Sequence, residues 1–108
     1  MKESLFQTQN ANTIAPGEFD YIQSSAILAD TDSYGGFNAF DVKNFSTERI
    51  KIRLDGDTNR AFVCEKGEGL ATDAEDKIFF NFLVIENKDS VNTISAGEIQ
   101  VTLIRTAK

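Results

Sequence analysis

A chain of 108 residues with a formal net charge of −6, one Cys and no His supports a single domain and excludes several chemistries at once. Its pI near 4.5 sets it against phosphate backbones, so no nucleic-acid partner is expected. Without His, and with Cys64 alone, a His-based triad, a His-ligated metal and a Cys-rich zinc site are excluded, whereas nine Phe and a hydrophobic fraction of 41% suffice for a packed core.

Residues 1–13 differ from the rest. Gln7-Thr8-Gln9-Asn10-Ala11-Asn12-Thr13 is polar and without periodicity, with Leu5 and Phe6 ahead of it. This stretch is expected to be a short extended N-terminal arm, either frayed or docking Leu5 and Phe6 on a neighbour. Residues 14–108 form the expected folded domain. Ala15-Pro16-Gly17-Glu18 reads as a turn, and Phe19-Asp20-Tyr21-Ile22 as a strand. Ser25 to Ala29 is a second candidate strand, followed by a loop through Asp30, Asp32 and Tyr34. Phe37 to Lys43 is a strand with Phe40 and Val42 on one face, closed by a turn at Asn44 to Glu48.

Ile50-Lys51-Ile52-Arg53-Leu54 alternates without a break, the mark of a half-buried strand. Asp55-Gly56 then suggests a hairpin back along Ala61 to Cys64. Glu65 to Gly69 is a further turn, and Leu70 to Asp76 a loop with one helical turn near Ala71 to Glu75. Ile78-Phe79-Phe80-Asn81-Phe82-Leu83-Val84-Ile85-Glu86 is apolar on both faces, which predicts one long strand covered on each side. The last strand runs from Gly97 to Arg105, with Ile99, Val101 and Leu103 inward. About seven short strands without a helical stripe predict an all-β chain, an antiparallel β-sandwich of jelly-roll-like type.

Two echoes stand out. Ile14 to Phe19 resembles Ile94 to Ile99, and Phe37 to Asn44 resembles Phe80 to Asn87. Each is read as a shared turn device: a Gly-Glu pair opens a strand, and an Asn closes one where positive φ is required.

Chemistry is sparse. The chain has no Gly-rich phosphate loop and no nucleophile elbow. The carboxylate groups Asp30 with Asp32, Asp55 with Asp57, and Asp73 with Glu75 and Asp76 read as solvated turn residues, because none has the spacing of a calcium loop. Cys64 reads as a small buried apolar group. No catalytic residue, cofactor or metal site is expected, and no enzyme. No segment is apolar enough to span a membrane, and the first residues lack the core of a signal peptide, so synthesis in a cytoplasm is expected.

The segments Ile50 to Gly56, Ile78 to Asn87 and Ile94 to Leu103 resemble small β-rich virion proteins of tailed bacteriophages, the capsid-decoration and accessory structural type. The resemblance lies in a turn-flanked strand ending in Asn, then a strand start of the form Ser-Ala-Gly-Glu-Ile. It implies a jelly-roll-like or sandwich fold, a location in the virion, and a non-catalytic role. It also implies self-association, often as a homotrimer, with capsid or tail proteins as further partners. Leu5, Phe6, Phe80 and Phe82 are the candidate interface residues, since surplus Phe supplies apolar contact area. The alternative is a carbohydrate- or ligand-binding β-sandwich module, for which exposed Tyr21 or Tyr34 beside the acidic loops is the discriminating feature.

Overall fold

Strict alternation is the strongest local instruction in this chain, and Phe19–Ile22 and Ile50–Leu54 obey it residue by residue. The computed structural model describes residues 2–22, 37–87 and 92–107. Its strands are β1 (Lys2–Gln9), β2 (Phe19–Ile22), β3 (Ala39–Asn44), β4 (Ile50–Leu54), β5 (Ala61–Cys64), β6 (Gly69–Ala71), β7 (Leu83–Asn87) and β8 (Ile99–Ala107). A single 3-10 turn at Ala74–Asp76 is the only helical element among the described residues. The candidate strand Ser25 to Ala29 lies outside them.

The strands form two antiparallel sheets of four, ordered β1-β8-β3-β6 and β2-β7-β4-β5. Pairing is nested: first strand with last, second with seventh, third with sixth, fourth with fifth. Both sheets feed one hydrophobic core. Phe40, Val42, Ile99, Val101 and Leu103 enter it from the first sheet, and Ile50, Ile52, Leu54, Leu83 and Ile85 from the second. Phe40 meets Phe62 of β5 with ring centroids 5.5 Å apart and Phe80 at 6.0 Å. The inward and outward residues of β4 and β8 fall where their alternation places them.

Three expectations need correcting. The N-terminal stretch is a strand, paired with β8 from Lys2↔Ala107 to Gln9↔Gln100. Its alternation is weak because few of its residues are apolar on either face: Phe6 packs against the core while Leu5 faces out, and Gln7, Thr8 and Gln9 are polar throughout. The short β6 occupies what read as loop, pairing with β3 through Asp41↔Ala71 and Lys43↔Gly69. The long apolar run is not one strand. Phe80 pairs with Phe37 ahead of β3, whereas β7 pairs with β2 and β4, so the chain changes partners near Asn81. The bend is held by Asp55 Oδ1, which accepts the N–H groups of Asn81 (2.7 Å) and Phe82 (3.2 Å). It shifts the side-chain parity, so Phe80, Leu83 and Ile85 all reach the core while Phe79 turns outward.

The sequence echoes face each other in space. Ile14 and Ile94 exchange two backbone hydrogen bonds of 2.9 Å, and Phe37 and Phe80 do the same at 2.7 and 3.0 Å. Three turns share one build, closed by N–H donation from Glu18 to Ala15, from Glu68 to Glu65 and from Glu98 to Ser95. Each carries its Gly at the third position with φ between 73° and 86°, the type II geometry that a Cβ disfavours. Each is tied down by a buried asparagine: Asn87, Asn44 and Asn10 respectively. Positive φ is not the reason for these asparagines, since Asp55 and Lys77 alone have it among the described non-glycine residues. Their amides are spent on loop backbone instead. Asp55 and Gly56, with φ of 54° and 74°, stand at the centre of a turn closed by the Asp57 N–H on the Leu54 carbonyl at 2.9 Å, within the hairpin connection from β4 to β5.

Candidate interaction surfaces

The four residues expected at an interface separate into distinct environments. Leu5 is 49% exposed on the outer face of β1, with Ile104 of β8 opposite it in the register. Phe6, its neighbour, points the other way and packs against the core. Phe80 is 1% exposed and belongs to the protomer's own core, in ring contact with Phe37 and Phe40. Phe82 lies half-buried on the outer face of the second sheet, 5.8 Å from Tyr21 between ring centroids.

That outer face is laid out by strand register. Tyr21, Val84 and Arg53 stand side by side across β2, β7 and β4, and Phe19, Glu86 and Lys51 form the next row. Asp55 donates its N–H to the Phe82 carbonyl at 2.9 Å, which brings the β4 turn alongside. Phe19 and Tyr21 are 53% and 51% exposed and meet edge to face at 5.3 Å. Arg53 pairs with Glu86 at 3.1 Å, and Arg60 with Asp55 at 3.6 Å. The result is a groove of about 320 Å³ lined by three aromatic rings together with the Arg53–Glu86 pair and Asp55.

Sequence reasoning singled out Tyr21 but not Phe19. In Phe-Asp-Tyr-Ile the aromatics look like the inward set, yet Asp20 and Ile22 are the buried pair. Asp20 is satisfied inside by Asn12, whose N–H and Nδ2 both donate to its carboxylate at 3.2 Å. Asn12 lies eight residues before Asp20, so no local pattern marks the inward Asp. Tyr34, Asp30 and Asp32 lie outside the described residues.

The remaining acidic groups hold turns together. Asp57 Oδ1 accepts the Asn59 N–H at 2.8 Å, and Asp73 and Asp76 cross-bond at the 3-10 turn. Among the described residues no group of three His, Cys, Asp or Glu side chains is placed to hold a metal ion, and no helix is long and apolar enough to cross a membrane. Cys64 is buried, and desolvation together with Glu68 and Glu65 pushes its thiol pKa up, so it stays protonated.

The Glu48 carboxyl is held below the ordinary carboxylate range. The Thr47 hydroxyl donates to it at 2.8 Å and Asn92 Nδ2 at 3.2 Å, and both favour the charged form. A depressed folded-state pKa contributes stability above the unfolded value, and that stability is lost as pH falls through the folded value. Thermal melts across the acid range are therefore expected to fall less steeply for Glu48→Gln than for the parent chain. Parallel acid limbs would show that the carboxylate is not engaged in solution.

No protein-family model, curated protein or solved structure matches this chain.

Proposed function

We propose that this chain is a non-catalytic accessory structural protein of a bacteriophage virion, made in the host cytoplasm. In this reading it assembles as a homo-oligomer on a capsid or tail surface, with the closed trimer as the arrangement that the resemblance implies. The nested strand pairing supports a jelly-roll reading of the fold, because a long antiparallel hairpin rolled on itself gives this order of strands. Two-sheet jelly rolls recur in viral capsid and lectin domains.

One observation carries the assembly reading. Among the described residues, strand β1 is an eight-residue edge strand, bonded on one side by β8, and it leaves Leu5 half exposed. A sheet edge of that length presents a row of backbone donors and acceptors, which soluble proteins normally shield. A neighbouring protomer would satisfy those groups and cover Leu5 together with Ile104.

The test is light scattering of the purified chain. A mass that is a multiple of the 12.0 kDa protomer is expected, shifting toward the single chain in Leu5→Lys. Losing one buried leucine contact there weakens association roughly tenfold to a hundredfold. A strict monomer at high concentration removes the assembly reading.

A further inference from the structure

We infer that the aromatic groove on the outer face of the second sheet is a binding site for a neutral saccharide. The site goes beyond the assembly reading and does not depend on it, because it uses the sheet face opposite the core rather than the β1 edge. Three features of the groove converge on this class of ligand.

The first is the platform. Tyr21 is braced edge to face by Phe19 and tilted against Phe82, so half-exposed ring surface is held in place before any ligand arrives. A braced aromatic face covers the C–H side of a sugar ring at little cost in side-chain entropy. The second is the ion pair. Arg53 reaches both Glu86 oxygens through one guanidinium nitrogen, at 3.1 and 3.4 Å. A carboxylate has about four lone-pair sites, so Glu86 keeps acceptor capacity for hydroxyl donors. Asp55, at the end of the groove, has Oδ1 committed to backbone N–H groups and Oδ2 facing Arg60.

The third feature decides the charge of the ligand. Both carboxylates of the groove are matched by an arginine, and Lys51 does not line it. An anionic or cationic ligand would have to compete with one of these pairings, and the donor left over, Arg53 Nε, is buried behind the pair. A neutral polyhydroxylated ligand exchanges hydrogen bonds with ion-paired groups and stacks on the rings. The volume of about 320 Å³ sits at the low end of small-ligand sites, which suits one or two sugar units rather than a folded partner.

Calorimetric titration with cellohexaose, maltohexaose, laminarihexaose and chitohexaose tests the site, with oligogalacturonate as the charged comparison. At least one neutral oligosaccharide is expected to bind saturably, and more tightly than oligogalacturonate. Tyr21→Ala, at a surface position that leaves the core intact, weakens that binding about tenfold. Phe45→Ala, an exposed aromatic outside the groove, leaves it unchanged. In the unsubstituted chain, the Tyr21 ring and Val84 methyl resonances shift with the same titration curve.

Binding by none of the four neutral sugars overturns the proposal. Preference for the charged oligomer does so too, as does a Tyr21→Ala chain that binds like the parent. If Tyr21→Ala instead abolishes self-association, the groove is a protomer contact and the saccharide site is wrong. Light scattering of the same samples separates failure here from failure of the β1 assembly.

Discussion

Phe40→Ala is expected to lower the stability of the fold by about 3–5 kcal/mol, as large-to-small changes at buried aromatics do. Phe40 is fully buried and is the residue through which the sheets meet: it projects from β3 and contacts Phe62 of β5 and Phe80 beside the bend. Removing the ring deletes transfer energy and leaves a void between two sheets that cannot close without shifting strand register. Denaturant unfolding should show a lower midpoint with an unchanged slope. Phe45→Ala, at a ring 59% exposed, should stay within about 0.5 kcal/mol of the parent. Equal effects at both positions would mean that the two sheets do not share one core.

The second large effect is expected at Asn10. Its Oδ1 accepts the N–H groups of Ile99 (2.9 Å) and Gly97 (3.1 Å), and its Nδ2 donates to the carbonyls of Asn12 (2.9 Å) and Ser95 (3.1 Å). One buried side chain therefore fixes the end of β1, the start of β8 and the turn between Ser95 and Glu98. Asn10→Ala strands the buried Ile99 N–H and at least one carbonyl, each costing about 1–3 kcal/mol. The expected loss is about 3 kcal/mol, or roughly 10–20 °C in melting temperature. Because the lost bonds anchor β1, its amides should lose protection before those of β4. A loss below about 1 kcal/mol would show that water replaces the amide at that turn.

Much of this architecture is legible in the chain because half-buried strands write their burial as alternation. β2, β4, β5 and β8 fall where Phe19 to Ile22, Ile50 to Leu54, Ala61 to Cys64 and Ile99 onward place them. Alternation also has blind spots. It could not show that the run from Ile78 to Asn87 changes partners at Asn81, since an apolar run looks the same whether it is one covered strand or two pieces meeting at a bend. Nor could it identify β1, whose Gln-Thr-Gln segment carries no apolar face of its own and is recruited by pairing with β8. Asparagines at strand ends suggest a backbone conformation when read locally, whereas these serve as hydrogen-bond anchors. Their hydrogen bonds span up to 89 residues of sequence, a separation at which local pattern holds no information.

The candidate surfaces were legible in part for the same reason. Leu5 and Tyr21 stand out in a sequence because they are apolar or aromatic in polar surroundings. The groove beside Tyr21 depends on register, because Phe82, Arg53 and Glu86 come from two other strands. Phe80 shows the converse: a ring that looks surplus in the sequence is needed inside once the bend turns it inward.

Amide hydrogen exchange of β1, measured in the intact chain at low and high protein concentration, tests the central claim most directly. If β1 is the assembling edge, the alternate amides that do not bond β8 will exchange more slowly as concentration rises, while those facing β8 stay protected throughout. Exchange of the outward amides at one unchanging rate, in a particle with the mass of a single chain, would contradict it.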